Sequence, residues 1–337
     1  MKIKHLHIQN YKSLVDLKIV EPNAFSVFAG PNGAGKSNIF EVLEFMSYSN
    51  KIDWDTVESL FGGQKRFVNF NSSKTEYKIE LKFDDFESCL SYKPVNVEQQ
   101  FKAFASLKYG FYSDDMGIHG DKVPSNEYTQ QCYSNFTRIF INKEELNRVK
   151  VTSNQRLLSD TSNLSPIIKN ILSDSANNEE FIEWLKLFIP GFENLEVQSD
   201  IDGNDRFHLF EKGTQKPFDK KLISDGTYNI LALLAAVYQS NEPQFLCIEE
   251  PENGLNPYVI KTLVDFFRKQ CEEKGHYIWL NTHSQTLVKE LQPHELILVD
   301  KVNGATQIKQ FSKDYNLHGL TMDEAWLSNA LGGGLPW

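Results

Sequence analysis

The chain has 337 residues, 40% of them hydrophobic and 24% charged, and a formal net charge of −10. That length holds one large or two modest domains with an ordinary globular profile, and the acidic balance argues against a surface built wholly around nucleic acid. No apolar run reaches the roughly 18 residues of a membrane-spanning helix, and four scattered cysteines (Cys89, Cys132, Cys247, Cys271) have neither metal-ligand nor disulfide spacing, which makes a reducing cytoplasm the expected location.

The opening stretch, MKIKHLHIQNYKSL, is polar and alternates, unlike a signal peptide. Phe25 to Ala29 is a short apolar run suited to a buried strand. It leads into Gly30-Pro31-Asn32-Gly33-Ala34-Gly35-Lys36-Ser37, a full match to G-x-x-x-x-G-K-[ST]. Glycines let the backbone approach a phosphate chain, and the N–H groups of the loop and the next helix point at the anion. Gly30, Asn32, Gly33 and Gly35 are therefore candidate nucleotide contacts. Lys36 is expected to reach the β- and γ-phosphates and Ser37 to ligate Mg²⁺. Ile39, Phe40, Leu43 and Phe45 supply the apolar positions of a helix leaving the loop.

The middle is less patterned. Residues 66–84 alternate and read as strands with a turn at Asn71 to Lys74, residues 103–115 read as another strand region, and residues 116–135 read as a polar surface loop. The stretch from Ser165 to Phe192 reads as helices interrupted between Ser173 and Asn178, and the next segment as a hairpin turning at Asp202-Gly203. Ser224-Asp225-Gly226-Thr227 then opens an apolar helix, Asn229 to Tyr238, with an N-cap pattern that leaves a helix N-terminus able to receive an anion. The apolar run Phe245 to Ile248 is closed by Glu249 and Glu250. A buried strand ending in acids is how P-loop NTPases place a magnesium ligand, so Glu249 is the candidate metal acid. Glu250 is the candidate catalytic base. A third apolar run, His276 to Leu280, is followed by His283 in a polar turn, and the tail ends in three glycines, a proline and Trp337. That tail reads as a flexible strip, either frayed or free for docking.

The order of phosphate loop, I-S-D-G-T, strand with paired acids and turn histidine resembles the ABC-type ATPases, in their soluble RecF-, SMC- and OLD-like branch. IKHLHIQNYKSLVDLKI is similar to the strand pair that opens RecF and SMC heads, and IEEPENGLNP to the acidic strand of stand-alone ATPases from bacterial defence systems. The resemblance implies an α/β fold, an ABC-type P-loop ATPase head. Its expected parts are a β-rich first lobe (residues 1–115), a mostly helical insertion (116–190) and a second α/β lobe with signature, acids and tail (191–337). It implies ATP and Mg²⁺ as ligands and a head-to-tail homodimer in which Ser224, Asp225 and Gly226 contact the nucleotide of the opposite subunit. His283 would be the switch histidine, and Gly254 to Pro257 would face the partner. Gln64 is the candidate glutamine-loop residue. The chain departs from the transporter pattern by Glu249 in place of aspartate, by Asp225 within the signature, and by Asn256.

Without a heptad pattern, an SMC-scale coiled-coil arm is excluded. A TOPRIM-like nuclease half is also not expected after the ATPase, so an effector would be a separate polypeptide. Three functions fit: a switch subunit controlling an effector such as a nuclease in anti-phage defence, a RecF-like ATPase that binds DNA through Lys143 to Lys150 or Lys212 to Lys221, and a slow ATP-binding scaffold.

Overall fold

The computed structural model describes residues 2–49, 51–63, 66–69, 72–73, 76–83, 87–92, 104–107, 135–140 and 156–334. They form two compact units, one of residues 1–136 and 291–337, the other of residues 137–290.

The first unit opens with strands β1 (Ile3–Tyr11) and β2 (Leu14–Val20), an antiparallel pair joined at Lys12-Ser13. Strands β4 (Tyr77–Phe83), β5 (Glu87–Tyr92) and β6 (Phe104–Leu107) continue this sheet in the order β2-β1-β4-β5-β6. β1 and β4 alternate buried with partly exposed residues, as a sheet with one covered face requires. Beneath them Tyr11, Phe45, Phe67 and Tyr77 pack ring against ring. Phe45 comes from helix α1 (Lys36–Ser49), which follows the fully buried strand β3 (Phe25–Ala29); a short helix α2 (Trp54–Leu60) comes next. Of the strands expected over residues 66–84, β4 is present and Val68 makes only a single bridge to Tyr11. The turn residues Asn71 and Lys74 and the candidate Gln64 lie outside the described residues.

The chain returns to this unit at its end. β12 (Leu296–Val302) runs parallel to β3, with Leu296 opposite Val27 and Leu298 opposite Ala29, and β13 (Ala305–Gln310) turns back antiparallel along β12. Residues 291–337, expected in the second lobe, therefore cluster with the phosphate loop, because this parallel pairing outweighs sequence proximity. The tail is neither frayed nor free up to Gly334. After helix α8 (Met322–Leu327), Leu331 is buried, the Trp326 indole N–H donates to the carbonyl of Gly334, and the Gly334 N–H donates to Asp300. Gly332, Gly333 and Gly334 all have positive φ. At Gly334 a Cβ would press on Leu298 at 3.0 Å, so these glycines are used for close passage. Trp337 lies outside the described residues.

In the second unit, strands β11 (Tyr277–Thr282), β10 (Phe245–Glu249) and β7 (Phe136–Phe140) lie in that order, fully buried, with β10 and β11 parallel. Continuous apolar strands of this kind mark a sheet covered on both faces. Helices α3 (Leu164–Ser173) and α4 (Ser175–Phe188) meet at Asp174, whose side chain caps α4, so the expected break is one residue long. β8 (Phe192–Ser199) and β9 (Asp205–Glu211) form the expected hairpin, with Gly203 at φ +80 in its turn. Helix α5 (Asp225–Tyr238) is buried from Tyr228 onward and packs its end on α4 through Tyr238 and Phe181. Helix α6 (Pro257–Lys274) starts at an Asn256 cap and ends on a left-handed Gly275, and a short helix α7 (Gln285–Lys289) follows β11.

Candidate functional site

The phosphate loop follows β3 directly. Gly30 has no room for a side chain, since a Cβ would run into the carbonyl oxygen of Val299 on β12. Gly33 and Gly35 have φ of +77 and +105, values that L side chains rarely adopt. Asn32, Gly33 and Ser37 are exposed. Lys36 is buried, and its ammonium donates to the carbonyls of Gly30 (2.7 Å) and Pro31 (3.0 Å), folded into its own loop. An anion in the loop would exchange these carbonyls for phosphate oxygens.

The loop is held by residues that motif reading did not reach. Thr306 on β13 donates to the carbonyl of Ala34 (2.8 Å) and pairs with the Ser13 hydroxyl (2.7 Å). Asn38, in the first turn of α1, donates to Ser13 (2.8 Å). The β1–β2 turn is thus tied to both the loop and its helix. Lys12, Ser13, Asn38, Arg66 and Lys301 also line a cavity of about 480 Å³. Lys12 is ion-paired with Glu41, which also accepts from Tyr11. The N-Y-K-S stretch was the available signal. Its contact with Asn38 could not be read, because those residues are far apart in sequence.

In the second unit the paired acids stand at the end of β10, as expected. Glu249 is buried; its Oε1 accepts from Arg138 of β7, and its Oε2 accepts from Asn281 of β11. Arg138 and Asn281 were not expected. The next residue, Glu250, has φ +50, and its N–H donates to the carbonyl of Asn281 (2.9 Å). A left-handed glutamate is strained backbone of the kind concentrated at functional positions. Its carboxylate accepts from Asn253 (3.1 Å) and faces Nδ1 of His283 (3.4 Å). The candidate base and the candidate switch histidine are therefore neighbours. Glu252 lies beneath them and accepts from Thr282, the residue before His283. Burial pushes the Glu252 carboxyl above the usual range, against the pull of Thr282 and His283.

Ser224 caps α5, accepting from the N–H of Thr227, and Ser224 and Asp225 are exposed. Gly226 and Gly254 touch backbone to backbone, since a Cβ on Gly226 would lie 2.5 Å from the Gly254 carbonyl oxygen. Asn229 of α5 donates to the carbonyl of Asn253. Asn253 thus joins the helix that carries the candidate signature to the side chain of Glu250. Each unit presents one half of the expected chemistry: the phosphate loop in the first, base, metal acid and signature in the second.

A family model described as "AAA domain, putative AbiEii toxin, Type IV TA system" matches residues 25–289. The chain belongs to this family. It is an ABC-type P-loop ATPase, linked through its family's description to bacterial toxin–antitoxin systems. Solved structures share its fold. The SMC head domain from Thermotoga maritima is 15% identical with a TM-score of 0.53, covering 93% of this chain and 100% of its own. An SMC head bound to the C-winged helix domain of ScpA is 15% identical with a TM-score of 0.60, covering 93% and 98%. Among curated proteins, the "ATP/GTP phosphatase" of Helicobacter pylori is 20% identical over 324 residues, 86% of this chain and 87% of that protein. The bacitracin transport ATP-binding protein BcrA of Enterococcus faecalis is 28% identical over 131 residues, 34% of this chain. That match spans only 41% of BcrA. No helix among the described residues is long and apolar enough to cross a membrane.

The Ser37 hydroxyl in the first unit and the Glu249 carboxylate in the second are each oxygen donors of the kind a hard cation such as Mg²⁺ takes. Among the described residues no cluster of three or more His, Cys, Asp or Glu could hold a metal unaided. In nucleotide sites Mg²⁺ commonly takes only one or two protein oxygens and draws its other ligands from phosphate and water.

Proposed function

We propose that this ATPase is a cytoplasmic switch subunit. It binds ATP with Mg²⁺, closes head-to-tail on a second copy, and controls a separately encoded effector, a nuclease, in defence against phage. The observation that carries the reading is the Asn253 link, which joins the signature helix to the candidate base Glu250. A signature that grips the partner's nucleotide would report that contact to its own catalytic glutamate. The family's toxin–antitoxin description supports the defence setting, and the ScpA complexes of SMC heads offer a precedent for a partner-binding head.

In this scheme the loop N–H groups and Lys36 hold the triphosphate and meet the charge that develops on its oxygens. Ser37 and Glu249 would hold the Mg²⁺, which when bound neutralises phosphate charge. Glu250, fixed by Asn253 and His283, accepts the proton of the attacking water. The cavity beside Ser13 and Asn38 takes the nucleoside end. Ser224, Asp225 and Gly226 complete the opposite copy's site from an exposed helix N-terminus. The DNA-binding alternative would rest on Lys212 to Lys221, where Lys220 lies over the ring of Tyr228 at 4.7 Å, and on Lys143 to Lys150, which lie outside the described residues.

Mixing tests the shared site. Lys36→Ala and Ser224→Arg chains should each be inactive. Mixed dimers hold one site with both lesions and one with neither, so turnover should return. A monomer by light scattering, with turnover per chain independent of concentration, would end the head-to-tail reading. Co-purification with the neighbouring gene product, with a phage plating assay, tests the effector.

A further inference from the structure

Arg138 is a charged side chain in the middle of a strand whose five residues are all buried. Burying a guanidinium is unfavourable unless its charge is met. Here Glu249 meets it. Nε donates to Oε1 at 3.0 Å and Nη2 donates to the same oxygen, and the two side chains are only 2% and 4% exposed. The two-residue period of the strand puts Phe140 on the same face, and the guanidinium lies over that ring at 4.5 Å. Asn281 holds Oε2 from β11. The carboxylate is therefore directed from both sides before any ligand arrives.

We propose that Arg138 is a positioning residue for Glu249 and an internal counter-cation that makes the site reject a divalent metal arriving without nucleotide. The proposal rests on the assignment of Glu249 to the Mg²⁺ shell. The guanidinium meets the charge of a buried carboxylate and keeps it aimed while the site is empty. It also opposes a divalent cation at the same oxygen, and like charges repel strongly where water is scarce. The negative charge of a triphosphate outweighs that opposition. Metal and nucleotide then bind together or not at all, and metal alone does not push the site towards its loaded state.

The test uses Mn²⁺ as the probe, with free Mn²⁺ read by electron paramagnetic resonance on the full chain, with and without a non-hydrolysable ATP analogue. Wild-type protein should take Mn²⁺ with the analogue and hardly any without it. Arg138→Met should tighten nucleotide-free Mn²⁺ binding by about tenfold or more, since a neutral side chain no longer opposes the ion. Arg138→Lys keeps the charge and should stay within about threefold of wild type. In the metal-free state Arg138→Met should melt below wild type, and added Mn²⁺ should raise its Tm more than it raises the wild type's. The double change Arg138→Met with Glu249→Gln should lose the gain in Mn²⁺ binding. If the Met chain does not fold, Arg138→Gln, which keeps a donor but drops the charge, carries the same expectation. Unchanged or weaker Mn²⁺ binding in the neutral variant overturns the proposal. A wild-type chain that takes no Mn²⁺ even with the analogue overturns the metal assignment first, and this proposal with it.

Discussion

Removing the C-terminal strap, Leu331 to Trp337, is expected to destabilise the unit that carries the phosphate loop. Leu331 is 1% exposed, and losing its burial costs about 2 kcal/mol. The Trp326 indole N–H, on a side chain with no exposure, loses the Gly334 carbonyl, and an orphaned buried donor costs about 1–3 kcal/mol. Asp300 and Lys309 lose the Gly334 N–H and the Leu331 carbonyl, each worth about 0.5–1.5 kcal/mol net. The sum is about 4–8 kcal/mol, a large share of the roughly 5–15 kcal/mol that holds a protein folded. In a domain of this size that is a fall in Tm of about 8–30 °C. Differential scanning calorimetry on the truncated and full-length chains measures it, with Leu331→Ala as a milder control expected to cost about 2–3 kcal/mol. A truncated chain that melts within a degree or two of the parent would refute the reasoning. It would return the tail to the status of a free strip.

Glu250→Gln keeps the size of the side chain and its contact with Asn253 but removes the charge, so nucleotide binding by fluorescence titration should persist while phosphate release falls about 100-fold or more. Gly30→Ala should prevent the close passage of β3 and β12 and yield insoluble or nucleotide-free protein, as judged by gel filtration and nucleotide binding. His276 is buried and accepts the Gln244 N–H at Nδ1; burial first, then the Lys274 charge, pulls its pKa down to about 4. The unfolded chain therefore takes up a proton below about pH 6.5 that the fold resists, so stability should be full above that pH and decline by about 3 kcal/mol as the pH falls to 4. Urea melts across that window should show the slope in wild type and lose most of it in His276→Asn, whose Oδ1 can still accept.

The parts legible in the sequence were those whose chemistry is contiguous. The phosphate loop, the acids closing β10, the cap at Ser224 and the turn at Gly203 each lie within a few residues of the features that determine them. Arg138 was hidden because the reason for its burial, Glu249, stands 111 residues away, and FTRIF alone reads as any apolar strand with one charge. The contact of Ser13 with Thr306 spans 293 residues and leaves no local pattern. The tail was misread for a physical reason. Three glycines suggest freedom, yet here all three hold positive φ, and a Cβ on Gly334 would press on Leu298 at 3.0 Å. The return of residues 291–337 was missed because parallel pairing of β12 with β3 carries no turn signal.

That return has a consequence during synthesis. β3 and the phosphate loop leave the ribosome early, but β12, the neighbour that Gly30 passes so closely, and Thr306, which ties down Ala34, follow about 270 residues later. At about 5–20 residues per second, the roughly 280 residues between Ala29 and Gln310 take between about a quarter of a minute and a minute to translate. A stalled or truncated chain would carry the whole motif and lack the framework that shapes it. Competence to hold a nucleotide would then arrive only once β12 and β13 have been made, and no product ending before them could act as a half-made switch.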